Sequence, residues 1–467
     1  MIVMKFGGTS VEDAESIERV AEIIRARLDR RPVVVVSAMG KTTRKLLNSA
    51  EASARGDSRT TLEIIAALKT RHKSEARRLV KNTGGRAVFP LIDKYFEELT
   101  KLLEGLAILG EVPPRGLDKI LSYGELLSSA IMADSLSERG ITAQLLDARQ
   151  MIKTDDRYGA ASPIFDLTDR NVTEAVRPVV EAGSVPVIQG FIGSTREGAT
   201  TTLGFEGSDY TAAIVGAAIG ADDIQIWKDV SGLMTADPAL YARARTVKLC
   251  TFAEAADLTY FGAKVLHPKA IHPAARKNIP VHIYNSKKPE ATGTEITARA
   301  VPCANLIKSI AYKRPVTMIN VAEEALEAGS RTLSTNEFLR ALLNALNRRQ
   351  ITPLLTVVSA SSVAIVVDSP AIADGRERDL IEDLSKLGRA SAQSGRAIVS
   401  LVGEGLTGDS SFAGRAFKAI AETRLGVILH GSSPITLNMV VADEDVENVI
   451  ARLHEVFFSD PDPNVFE

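Results

Sequence analysis

Cysteine is nearly absent from this 467-residue chain, which has only Cys250 and Cys303. Two thiols are too few for a disulfide framework, so a reducing compartment is expected. Aromatic residues are scarce at 5%, with a single tryptophan, which argues against a surface built to stack bases. No charge of one sign dominates: the formal net charge is -2, and no basic footprint for nucleic acid is present. The longest apolar runs, at residues 32–36 and 211–221, fall well short of the roughly 20 residues of a membrane span. The N-terminus lacks the charged region and cleavage site of a signal peptide. A cytoplasmic protein with neither nucleic acid nor membrane as partner is the expectation. What remains is ordinary globular chemistry, 45% hydrophobic and 24% charged, in a chain long enough for about three domains.

The first strongly marked stretch is Lys5-Phe6-Gly7-Gly8-Thr9-Ser10. Ile2, Val3, Met4 and Phe6 read as a short apolar strand, and Val11, Ile17, Val20, Ala21 and Ile24 follow at helical spacing. Thr9 with Glu12 matches a capping box. Glycines allow close backbone approach, a helix N-terminus adds the positive end of its dipole, and Lys5 adds a full charge, so the corner suits an anion. Read alone, it is equally an ordinary strand-to-helix turn with a surface lysine.

Residues 33–36 form a continuous β-branched run, as expected of a buried parallel strand. It ends in Ser37-Ala38-Met39-Gly40-Lys41-Thr42-Thr43. The Gly-Lys-Thr fragment is not a P-loop, because Val35 stands where that motif requires its first glycine. Residues 44–145 are mostly helical in pattern. Among them Glu125 is a lone carboxylate among apolar and small residues, suited to burial and so in need of a partner; a substrate ammonium, a helix-capping role and a structural salt bridge are all open. Lys153-Thr154-Asp155-Asp156-Arg157-Tyr158-Gly159 reads as a polar loop. After Gln189 to Gly193, residues 198–211 read as a long loop rich in glycine and hydroxyls, running into an apolar helix that Ser208 or Asp209 would cap. Residues 224–227 form a further strand, followed by Lys228-Asp229-Val230-Ser231-Gly232. Residues 261–268 are the last marked segment before a closing strand at 279–284. His267 and His272 lack a third metal ligand and are read as structural.

Composition shifts toward Gly, Pro, Thr and Ala near residues 288–303, the best boundary in the chain. Beyond it Phe338 and Phe412, Ala345 and Ala419, Leu346 and Ile420, Ser359 and Ser433, and Val367 and Val441 all pair at one constant offset. Each copy reads as a small ferredoxin-like α+β module. Gly403-Glu404-Gly405-Leu406-Thr407-Gly408 matches GxGxxG, but its place inside a small repeat argues against a dinucleotide-binding domain.

Taken together, residues 5–10, 37–43, 123–125, 200–211, 227–230 and 261–268, with Gly431-Ser432-Ser433 in the tail, resemble the aspartokinase family of the amino-acid kinase superfamily, in the same order along nearly the whole chain. The resemblance implies an α/β, three-layer amino-acid kinase fold with a mainly parallel sheet over residues 1–295, followed by two ferredoxin-like ACT modules at 305–390 and 391–467. It implies ATP-dependent phosphorylation of the side-chain carboxylate of L-aspartate, with Mg2+, at the start of lysine, threonine and methionine biosynthesis. It also implies an amino-acid effector at the ACT modules and a homodimer or larger homo-oligomer. Lys5, Asp209 and Lys264 would be catalytic, with Asp209 orienting the lysines or a magnesium ion. Lys5, Gly7, Gly8, Ser10, Lys228, Asp229, Met234 and Lys264 would bind ATP, Gly7 and Gly8 through their N–H groups. Thr43, Glu125, Arg157 and Ser208 would bind the substrate, Glu125 through its ammonium.

The chain departs from the family pattern at several positions. Phe205 stands where an arginine usually clamps the substrate α-carboxylate; Arg157 is the first candidate to replace it and Lys41 the second. Lys228, Met234 and Ala239 stand where threonine, tyrosine and arginine are usual on the nucleotide side. Leu354 replaces an aspartate that commonly meets the effector ammonium. Two other readings follow: a related kinase with another carboxylate acceptor, and a catalytically weak amino-acid sensor of the ACT type.

Overall fold

The computed structural model describes residues 1–81, 87–204, 206–263, 266, 268–300, 302–322 and 334–467. The chain forms two compact units, one of Met1–Leu233, Lys248–Ala256 and Val265–Ala300, the other of Met234–Val247, Asp257–Lys264 and Val301–Glu467.

The strands of the first unit are β1 (Ile2–Phe6), β2 (Pro32–Val36), β3 (Ala143–Leu146), β4 (Val185–Gln189), β5 (Ile192–Ser194), β6 (Thr200–Thr202), β7 (Asp223–Lys228), β8 (Leu249–Thr251), β9 (Val281–Asn285) and β10 (Thr294–Thr297). Eight of them make one sheet in the order β3-β4-β2-β1-β7-β9-β10-β8. Every neighbouring pair is parallel except β9 with β10. β1, β2 and β4 are buried along their whole length, which is why their sequences are near-continuous apolar runs, interrupted by Lys5 and ended by Gln189, and not alternating ones. The sheet does not close at β9 as the sequence suggested, because β10 and β8 extend it.

Two local expectations change. The helix after the first corner is Ala14–Arg25, capped by the Asp13 side chain accepting from the Ser16 N–H. Thr9 and Glu12 therefore lie in the turn before it and form no capping box, because the glycine corner takes several more residues to reverse the chain. The stretch 198–211 is not one long loop. Threonines 200–202 are β-branched and pair antiparallel with residues 192–194 as the β5–β6 hairpin, which hands the chain to the helix Gly207–Ile219. The remaining helices include Thr42–Ala54, Ser58–Leu79, Val88–Leu109 and Pro114–Glu138, the helical half that the apolar spacing suggested.

The second unit holds β11 (Ser309–Ala322), β12 (Leu355–Val358), β13 (Ser362–Asp368), β14 (Arg389–Val402), β15 (Ile428–His430) and β16 (Thr436–Ala442), in one antiparallel sheet of order β12-β13-β11-β14-β16-β15. The internal repeat maps onto it: the helices Thr335–Arg348 and Ser410–Ala419 correspond, as do β13 and β16. β11 and β14 are each 14 residues long and run through both halves. Residues 316–322 of β11 pair with β13, while residues 309–313 pair with 398–402 of β14, whose far side carries β16. The expected division at 390/391 falls inside β14. Gly403 follows that strand, and a side chain there would collide with the Leu306 carbonyl, so this glycine of the GxGxxG match serves close backbone packing. The Leu354 N–H donates to the Val366 carbonyl at the sheet edge.

Candidate active site

Parallel strands in register deliver their C-terminal residues to one place, and ligands of open α/β sheets bind there. Here β1 lies between β2 and β7, with Phe6 level with both Val36 and Trp227. The segments after these three strands, with the start of the helix Gly207–Ile219, enclose a cleft of about 310 Å³. Its lining includes Lys5, Gly8, Lys41, Glu206, Asp209 and Lys228, together with Gly7, Thr9, Ser37, Gly40, Ser208 and Asp229.

Charge in this cleft centres on Asp209, which is 1% exposed. Lys5 Nζ reaches its Oδ1 at 2.5 Å and Lys228 Nζ its Oδ2 at 2.8 Å, while Lys228 also lies 3.6 Å from Glu206 Oε1. Burial alone would raise the Asp209 carboxyl, but the two ammonium groups hold it below its ordinary value. Burial pulls the Lys5 ammonium down against the pull of Asp209. Lys228 is also buried, yet Asp209 and Glu206 outweigh that and hold it above its ordinary value. Burial raises the Glu206 carboxyl.

The glycine corner divides its labour differently from the expectation. The Gly7 N–H donates to the Trp227 carbonyl at 2.9 Å, continuing the β1–β7 ladder, so it is not available to a phosphate. Among the described residues the Gly8 N–H has no hydrogen-bond partner. A Cβ at Gly8 would come within 2.9 Å of the Ala38 carbonyl, so only glycine lets the first and second corners touch. The Gly40 N–H donates to the Gly8 carbonyl. Ser10 sits beneath the corner, its hydroxyl 2.7 Å from that of Ser286 and 3.3 Å from the Trp227 carbonyl; its side chain braces the loops.

Glu125, on the helix Pro114–Glu138, is 3% exposed. One oxygen accepts from the Ala38 N–H at 3.2 Å and the other has no hydrogen bond among the described residues. Burial pushes its carboxyl up to about 8, with Lys5 among the charges opposing this. A buried carboxyl with a spare oxygen is a site short of one donor.

The other expected residues fall in different places. Thr43 lies in the first turn of Thr42–Ala54, half-buried, and exposed Lys41 caps that helix with φ 44°. Arg157 is turned to its own loop: its side chain is 70% exposed, 2.7 Å from Asp155 and 2.6 Å from the Ser162 hydroxyl. Met234 belongs to the second unit, where its carbonyl accepts from the Ser309 hydroxyl. Lys264, Phe205 and His267 lie outside the described residues. His272 is exposed, and among the described residues no group of three or more His, Cys, Asp or Glu side chains could hold a metal ion.

Several contributors were not singled out from the sequence. Asp118, 1% exposed, accepts from the N–H groups of Gly159 and Thr202 and from the Thr202 hydroxyl at 2.8 to 3.0 Å, tying the Arg157 loop to β6. Arg71 donates to the carbonyls of Gly40 and Glu12, joining the second corner to the first. Ser286 bonds Ser10 and the Lys228 carbonyl. Glu206 had a signal, a carboxylate in a glycine-rich loop; the others had none, since their partners are distant in sequence.

Known proteins resemble this chain along nearly its whole length. The amino acid kinase family model matches residues 1–285, and an ACT domain model matches residues 399–457. The chain is 35% identical over 482 residues to chloroplastic aspartokinase 1 of Arabidopsis thaliana, covering 98% of this chain and 80% of the relative. It is 32% identical over 467 residues to lysine-sensitive aspartokinase 3 of Escherichia coli, covering 98% and 99%. Among solved structures, E. coli aspartokinase III in complex with aspartate and ADP superposes with a TM-score of 0.85 at 32% identity, covering 98% of this chain and all of that one. The same enzyme in complex with lysine and aspartate gives a TM-score of 0.79. With a family model over more than half its length and relatives 35% and 32% identical along nearly all of it, this chain belongs to the aspartokinase family of amino acid kinases.

Proposed function

We propose that this chain transfers the γ-phosphoryl group of ATP to the side-chain carboxylate of L-aspartate, giving 4-phospho-L-aspartate. The observation that carries this reading is the Lys5–Asp209–Lys228 arrangement in the cleft at the strand ends. Transfer between two anions needs positive charge and aligned N–H donors more than covalent chemistry. Asp209 holds two ammonium groups side by side without cancelling both, the Gly8 N–H adds a donor, and the N-terminus of Gly207–Ile219 adds the positive end of its dipole.

Glu125 is suited to the substrate ammonium, which would supply the donor its second oxygen lacks. Lys41, which lines the cleft, is better placed than surface-paired Arg157 to meet the α-carboxylate. Both Asp209 oxygens are engaged by lysine, so this residue does not fit as a magnesium ligand among the described residues; Mg2+ would arrive on the nucleotide phosphates. The ACT sheet is suited to an amino-acid effector, and association as a homodimer or larger is part of the reading. No helix among the described residues is long and apolar enough to cross a membrane.

Incubation with aspartate, ATP and hydroxylamine should yield aspartyl hydroxamate together with ADP. ADP release with no hydroxamate from aspartate, but with one from another carboxylate, would move the acceptor assignment elsewhere.

A further inference from the structure

The Lys5–Asp209–Lys228 chain has a fourth member that the kinase reading leaves without a task. Glu206 adopts φ 52°, a left-handed conformation that costs a side-chain-bearing residue of this type free energy and is usually left to glycine. That backbone sets its carboxylate in the cleft wall, with Oε1 3.6 Å from Lys228 Nζ. Its Oε2 is buried and has no hydrogen bond among the described residues.

The two acids hold Lys228 unequally. Asp209 approaches it at 2.8 Å and its side chain is 1% exposed, whereas Glu206 stands at 3.6 Å with 19% exposure. Glu206 is therefore the partner that can leave, and its longer side chain has a route toward solvent. The charges alternate along the row as Lys5, Asp209, Lys228, Glu206. A phosphate entering beside Lys228 replaces the last of them with another anion.

Resting on the kinase reading above, we propose that Glu206 is the counter-ion that Lys228 exchanges for a nucleotide phosphate. It keeps the ammonium satisfied and aimed into the cleft when no nucleotide is bound, and its displacement is a cost that every bound polyphosphate must meet. Glu206 is in this sense a positioning residue that also sets nucleotide affinity.

The test is ADP binding by calorimetry at fixed ionic strength, with adenosine as the probe that lacks phosphate. E206Q should bind ADP about tenfold more tightly than the wild-type chain and adenosine equally well. E206G, which removes the charge and relieves the positive φ, should do the same and serves if E206Q fails to fold. K228M should weaken ADP about tenfold or more, and adding E206Q to it should give a clearly smaller gain than in the Lys228 protein. Unchanged or weaker ADP binding by both Glu206 variants, or an equal gain with and without Lys228, overturns the inference. Loss of adenosine binding together with ADP would show a merely structural residue and overturn it too. Failure of the wild-type chain to bind ADP at all would overturn the kinase reading, and this inference with it.

Discussion

Replacing Glu125 by glutamine should make the protein more stable at neutral pH while removing its affinity for the acceptor. The carboxyl is 3% exposed, receives one N–H at 3.2 Å, and is pushed by burial from 4.5 up to about 8. Below pH 4.5 it is protonated in both the folded and the unfolded chain and contributes no pH dependence. Between 4.5 and about 8 the unfolded chain gives up the proton and the folded chain keeps it, so stability falls as pH rises. Integrated to pH 7, the loss is about 3 kcal/mol, and most of it accrues above pH 5. That is a large share of the roughly 5–15 kcal/mol that holds a typical domain folded.

The amide keeps the shape and does not titrate, so the stability of Glu125→Gln minus that of the wild type should rise by about 2 to 3 kcal/mol between pH 5 and pH 7. Urea unfolding is a direct assay because Trp227 is the only tryptophan, is fully buried, and lies in the same unit as Glu125. Parallel pH profiles for the two proteins would refute the reasoning. The function follows from the same numbers: an ammonium placed against the spare oxygen stabilises the ionised form, so aspartate binding should release a proton near neutral pH. Glu125→Gln should abolish that release and raise the KM for aspartate by about 100-fold or more, as expected when a buried charge pair loses one member.

Lys5→Met should lower kcat by at least about 100-fold, the scale for loss of one preorganised electrostatic group, with unchanged circular dichroism because Lys228 still neutralises Asp209; an active variant would remove Lys5 from the chemistry. Lys41→Ala should raise the KM for aspartate about tenfold or more and Arg157→Ala should change it by no more than about twofold, if a cleft-facing charge and not a surface-paired one meets the α-carboxylate. His72 is wholly buried, its Nε2 lacks a hydrogen bond among the described residues, and burial lowers its ring from 6.5 to about 4. Its contribution is complete above pH 6.5 and lost as the pH falls toward 4, so the stability of His72→Leu relative to wild type should improve by about 2 kcal/mol from pH 7 to pH 5 in the same fluorescence assay.

The sheet was legible wherever a strand is buried on both faces. Residues 33–36 are an unbroken apolar run and Lys5 alone interrupts residues 2–6, because both strands are buried along their length, and such runs carry their own signal. The hairpin of β5 and β6 was not, because such short strands in a glycine-rich stretch carry too little pattern. The strand sharing in the tail was hidden for another reason. A constant offset between paired residues reports that two segments have the same internal order, but it is silent on whether β11 and β14 are spent on one module or run through both.

The same distinction explains the site. Lys5, Glu125 and Asp209 were nominated by their surroundings in sequence, since a charged residue among glycines, hydroxyls or apolar neighbours is locally anomalous. Lys228 was noticed as a departure from the family pattern, yet its contact with Asp209 depends on the register that sets Phe6 beside Trp227. That register brings the ends of β1 and β7 within reach of one carboxylate from a third segment, far along the chain from the first lysine. Local sequence can show that a residue is out of place, whereas the parallel sheet decides which other residue it meets. For a phosphoryl-transfer site the second fact matters more, because two lysines on one aspartate leave net positive charge where two lysines on two aspartates would leave none. Glu206 bears directly on that balance: while it faces Lys228 it offsets part of the charge that the two lysines leave around Asp209, and the positive charge available to a transferring phosphoryl group is greatest when it gives way.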